Sequence, residues 1–96
     1  MLTLSGRVVS VDTREWEFSG RKGVTRTLHV AADGQPPTSC KVPESLVRAQ
    51  PELLDQLVFG TLVQVVVRPF VKVAEDRPPY LTLTASQVYV VEAAPA

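Results

Sequence analysis

Cysteine, tryptophan, methionine and histidine each occur once in the 96 residues, and each scarcity excludes a class of protein. A lone Cys40 forms no intramolecular disulfide, and its apolar-polar surroundings mark it as a small buried hydrophobe in a reducing compartment. One His and one Cys leave no paired metal-ligand spacing. GxGxxG and P-loop motifs are missing, and no nucleophile has a recognisable base partner, so neither catalysis nor a cofactor is expected. Charge of one sign is lacking too: ten basic residues balance ten acidic ones, so no global field draws the chain to nucleic acid or membrane. The longest apolar run, near LVQVVV, falls far short of the roughly 20 residues that span a bilayer. The start, MLTLSGRVVSV, has neither a charged leader nor an apolar core with a cleavage site, so cytoplasmic residence is expected.

What remains is a β-rich chain long enough for one domain, expected over residues 1–92 with a short tail at 93–96. Leu2 to Asp12 alternates and is rich in β-branched residues, with Gly6 marking a bend. The two-residue period continues through Trp16 and Phe18 to SGRKG, where Gly20 and Gly23 supply a hairpin turn carrying Arg21 and Lys22. Val24–Ala31 returns as a second strand with Arg26, Leu28 and Val30 on one face and Thr25, Thr27 and His29 on the other. His29 reads as a satisfied surface side chain. Ser39–Val42 makes a short third strand. From Pro43 to Leu57 the period becomes helical, and Pro51 in its middle removes a hydrogen bond, predicting two short pieces or a kink. Leu62–Ala74 is a long fourth strand, with Val63, Val65, Val67, Val71 and Val73 on one face and Pro69 marking an edge or bulge. A fifth strand begins at Tyr80, with Leu81, Leu83 and Ala85 inward.

Three strands, a helical segment and two more strands without βαβ alternation predict an all-β fold with one helix, the five-stranded Greek-key barrel of the OB-fold, its helix between strands 3 and 4. An SH3-like barrel fits less well, because its helical turn falls in the last connection. An OB-fold exposes strands 2 and 3 and the loops of the two hairpins. In that order seven of the ten basic residues, Arg14, Arg21, Lys22, Arg26, Arg68, Lys72 and Arg77, fall on those hairpins, while Glu44, Glu52 and Asp55 lie on the helical segment. Arg68, Phe70 and Lys72 alternate cation, ring, cation. That is the pattern of a single-strand platform, with bases on rings and cations on phosphates. The candidate contacts are Arg14, Trp16, Phe18, Arg21, Lys22, Arg26, Arg68, Phe70, Lys72 and Tyr80. Two orientations stay open for Trp16 and Phe18: into the core, or outward as a stacking surface.

On its strand order, its SGRKG hairpin tip with flanking aromatics and its early SGRVVSVD strand, the whole chain resembles the small OB-fold single-stranded DNA-binding proteins of filamentous phages and mobile elements. The resemblance implies cooperative, sequence-tolerant binding to single-stranded DNA or RNA, a homodimer or higher homo-oligomer, and contacts from Trp16, Phe18, Arg21, Lys22, Phe70 and Tyr80. The bacterial housekeeping binders end in an acidic recruiting tail. This sequence stops at VVEAAPA, so tail-mediated recruitment is not expected. The alternative is an OB-like protein-interaction subunit of a replication or conjugation complex, which zero net charge favours.

Overall fold

A computed structural model describes residues 2–94; positions 95 and 96 of the expected tail lie outside them. The elements are β1 (Leu2–Phe18), β2 (Arg21–Ala31), β3 (Thr38–Val42), α1 (Glu44–Ala49), α2 (Leu53–Gln56), β4 (Leu62–Ala74) and β5 (Arg77–Glu92). The strands hydrogen-bond in a closed ring, β1-β2-β3-β5-β4, with β4 returning to β1. All neighbours are antiparallel except β3 and β5, which meet in parallel at Lys41 and Thr84.

Closure rests on β1, which serves two partners in turn. Leu2–Arg7 pairs with β4 and Arg7–Phe18 with β2, so the strand must turn sharply near Arg7. Gly6 permits this, because a Cβ there would stand 2.6 Å from the carbonyl oxygen of Ala31. A register shift between Val8 and Ser10 completes the bend. On β4 register shifts fall between Leu62 and Val63, Val66 and Val67, and Lys72 and Ala74, and none falls at Pro69, which pairs in register with Leu83. Pro69 lies beyond Val67, the last β4 residue paired with β1, so its missing donor interrupts no β1 ladder.

Inside the ring sit Val8, Leu28, Val30, Cys40, Val42, Val63, Val65, Val67, Ala85 and Val88, and Leu46, Leu53 and Leu57 reach in from the helical segment. Each fully buried Val or Leu contributes roughly 1.5–3 kcal/mol. The helical segment is two helices, parted as expected at Pro51, which cannot donate to the preceding turn. The connection into β4 is bonded to β1. Gly60 N–H donates to the Val8 carbonyl at 2.8 Å, Val8 N–H to Thr61 at 2.8 Å, and the buried Thr61 hydroxyl to Gln56 at 2.9 Å.

The strands outrun the ring. Arg26 is the last β2 residue paired with β3 and Val67 the last β4 residue paired with β1, so each long hairpin continues as a two-stranded arm. The arms overhang opposite ends of β3, and the molecule extends 44 × 29 × 21 Å. This corrects three expected core positions: Val71, Val73 and Leu81 keep the inward parity but are 66%, 79% and 62% exposed, because no sheet lies opposite them. The turns are also tighter than expected. Ser19 and Gly20, both at positive φ, make the first alone, and Arg21 and Lys22 are already in β2. Among the described residues no helix is long and apolar enough to cross a membrane.

Two substitutions separate closure from packing. Leu28→Ala empties a fully buried site and should cost about 2–5 kcal/mol. Gly6→Ala adds one methyl against unyielding backbone and should cost about 1–3 kcal/mol. Denaturant melts of the two variants check both values, and a neutral Gly6→Ala would contradict the closure account.

Candidate nucleic-acid interface

Side chains alternate across a strand, so the pairing register assigns each candidate to a face. On the β1–β2 arm the inward parity runs from Leu28 through Arg26 and Val24 to Lys22, with Glu15 and Glu17 opposite. The outward parity carries Arg14, Trp16 and Phe18, opposite Thr25, Gly23 and Arg21. The open question about the rings is thus answered: Trp16 and Phe18 face outward, 45% and 76% exposed. On the β4–β5 arm Arg68, Phe70 and Lys72 pair with Thr84, Thr82 and Tyr80 and share the outward parity. Eight of the ten candidates therefore lie on outward faces, while Lys22 and Arg26 do not.

Each arm holds its aromatics in place differently. Trp16 lies across Gly23, where a Cβ would come within 2.3 Å of the indole, so the missing side chain creates the shelf on which the ring rests. The ring also walls a concavity of about 480 Å³ with Glu15, Glu17, Lys22 and Val24. Two carboxylates therefore stand near the tip, with Lys22 directly across from Glu17. Phe70, half exposed, borders a cleft of about 350 Å³ with Arg68, Pro43, Ser45 and Ala49, between α1 and the β4–β5 arm. The Arg77 guanidinium sits 5.7 Å from the centre of the Tyr80 ring, a cation–π contact that occupies one face of it.

Between the arms lies the outer face of β2 and β3, with Thr25, Thr27, His29, Ser39 and Lys41. Here the structure joins residues that are far apart in the sequence. His29 Nε2 is 2.8 Å from Asp12 Oδ2 and its Nδ1 is 2.7 Å from Ser39 Oγ. The carboxylate only accepts, so Nε2 donates to it; in the neutral ring Nδ1 accepts from the serine hydroxyl. The three side chains form a strut across β1, β2 and β3. Arg26 is held likewise: its Nη1 donates to Glu44 Oε2 at 2.7 Å, tying β2 to the first turn of α1. Sequence reading missed both links, because the partners are 10 to 18 residues apart in the chain and only sheet register brings them together.

Lys41 was also missed. It lies on the outward face of β3, across from Thr27 and Thr84, and its side chain meets that of Lys72. Close approach of the Lys72 ammonium, then desolvation, then repulsion between the two like charges lower its pKa below the usual lysine range. Cys40, next to it but pointing inward, has its thiol pushed up to about 11 by burial, which makes it a packing residue and a poor nucleophile. No group of three or more His, Cys, Asp and Glu among the described residues is arranged to hold a metal ion. Comparison with protein families, with curated proteins and with solved structures finds no match to this chain.

The single tryptophan makes the shelf testable. Gly23→Ala should push the indole off the hairpin, shifting its emission to the red and raising its quenching by iodide. Because the site is exposed, stability should change by less than about 1 kcal/mol. Unchanged fluorescence would show that Trp16 does not rest on Gly23.

Proposed function

We propose that this chain is a non-catalytic, single-stranded nucleic-acid-binding protein with an OB-fold. The ring order β1-β2-β3-β5-β4, the parallel β3–β5 contact and the helical segment between β3 and β4 support the OB assignment. One observation carries the functional reading. Trp16, Phe18, Phe70 and Tyr80 are 41–76% exposed, on outward faces beside Arg14, Arg21, Arg68 and Lys72. Rings held this far out of the core add little to packing, and they offer flat faces for bases beside cations for the backbone. Such stacking contributes about 1–3 kcal/mol per base and tolerates any sequence, since every base has a π face. DNA and RNA present the same rings and phosphates, so this surface takes either.

A second observation supports self-association. The inward parity of the β4–β5 arm leaves Val71, Val73 and Leu81 exposed behind the stacking rings, and β4 beyond Val67 has an open edge. A second copy of the chain would cover both and lengthen the track for a bound strand. The alternative, an interaction subunit for another protein, would use this same apolar face.

Titration of a fluorescein-labelled oligothymidylate, followed by the anisotropy of the label, tests the binding reading. Affinity should fall steeply with salt, with a slope of about −0.7 per phosphate contacted. Trp16→Ala should weaken binding about five- to hundredfold, matching one stacked base. No binding at low salt would sink the proposal. Sedimentation tests the assembly: wild type should be dimeric or larger, Val71→Lys/Val73→Lys monomeric with an unchanged melting temperature. A wild type that stays monomeric at high concentration would overturn self-association.

A further inference from the structure

The link between Asp12, His29 and Ser39 holds more chemistry than a strut requires. β1 and β2 are already paired from Arg7 to Phe18, and β2 is paired with β3 from Arg26 to Val30. Hydrogen bonds between exposed side chains add little to such ladders. Yet these three groups form a chain with one direction. Asp12 Oδ2 accepts from His29 Nε2 at 2.8 Å, which leaves Nδ1 to accept from the Ser39 hydroxyl at 2.7 Å. A carboxylate that orients an imidazole, and an imidazole that accepts from a serine, is the arrangement that turns a hydroxyl into a nucleophile. The sequence shows no such base partner, because the three residues come from three strands and His29 lies 17 and 10 residues from Asp12 and Ser39.

The surroundings favour reaction at Ser39. Ser39 itself is exposed, whereas the imidazole, held from both sides, has only 25% of its side chain exposed. The serine borders a groove of about 300 Å³ shared with Leu81, Leu83, Thr82 and Lys41. The two leucines give a small hydrocarbon group an apolar seat. Lys41, on the same face of β3, brings a positive charge to the groove for the oxygen that turns negative when a carbonyl is attacked. Cys40 between them is buried and points inward.

We propose that Ser39 is a primed nucleophile, a covalent modification site that takes a short apolar acyl group from an activated ester. Its Oγ attacks the ester carbonyl while the hydroxyl proton passes to His29 Nδ1. The bond from the carbonyl carbon to the leaving oxygen then breaks, and the leaving group departs with that electron pair and recovers the proton from the imidazolium. The product is a Ser39 ester with one acyl group per chain, so the step modifies the protein and is not a turnover. None of the exposed aromatic rings takes part, and the proposal does not depend on the single-strand reading.

Treatment of the full chain with p-nitrophenyl butyrate tests it. One butyryl group per chain should appear together with an equal amount of nitrophenolate, and peptide mass mapping should place it on Ser39. Hydroxylamine should remove it, since it cleaves esters and spares amides. Ser39→Ala should abolish this adduct. His29→Gln should slow its formation about a hundredfold, the loss of a general base. Asp12 positions the imidazole, and Asp12→Asn should slow the step about tenfold, less than loss of a buried carboxylate would, because Asp12 is 73% exposed. All three side chains lie on the outer face, so the variants should melt close to the wild type. Butyryl groups found only as hydroxylamine-resistant amides, on Lys41 or another amine, would overturn the proposal. Labelling of Ser39 at the wild-type rate in His29→Gln would overturn it as well.

Discussion

The double pairing of β1 is the constraint on which everything else depends. One strand must hydrogen-bond to β4 over its first six residues and to β2 over the remainder, and only a sharp bend near Arg7 allows this. The bend requires Gly6, because the carbonyl of Ala31 occupies the space a side chain would take. It also brings the α2–β4 connection against Val8, where backbone hydrogen bonds from Gly60 and to Thr61 lock it. Without that bend the sheet would stay open, and Val63, Val65 and Val67 would have no opposite wall to pack against.

Closure at one end of β1 leaves the other end free, and the arms follow from that. Once β1 and β2 pass the last residue paired with β3 they have only each other, so their side chains on both faces meet solvent. The same holds for β4 and β5 past Val67. An isolated two-stranded ribbon is marginal in water, so local devices sustain these two: the indole of Trp16 over Gly23, the facing charges of Glu17 and Lys22, and Arg77 on Tyr80. The exposed rings of Trp16 and Tyr80 thus brace the ribbons that carry them.

Much of the fold was legible in the residues because it rests on local rules. Alternation located the strands, and Pro51 split the helical segment. The errors share one cause. Alternation says which residues share a face, not where the opposing layer ends, so Val71, Val73 and Leu81 were assigned to a core that stops short of them. Arg26 has an inward parity, already visible beside Leu28 and Val30, and it pairs with Glu44.

By itself the sequence determined the strands, their faces, the break at Pro51 and the burial of Cys40, because these depend on neighbours one to four residues away. Only the tertiary structure decided which residues meet across strands: Asp12 with His29 and Ser39, Arg26 with Glu44, and Lys41 with Lys72. Those meetings depend on register and on the closing of the ring, set by long-range pairing that no short window of sequence contains.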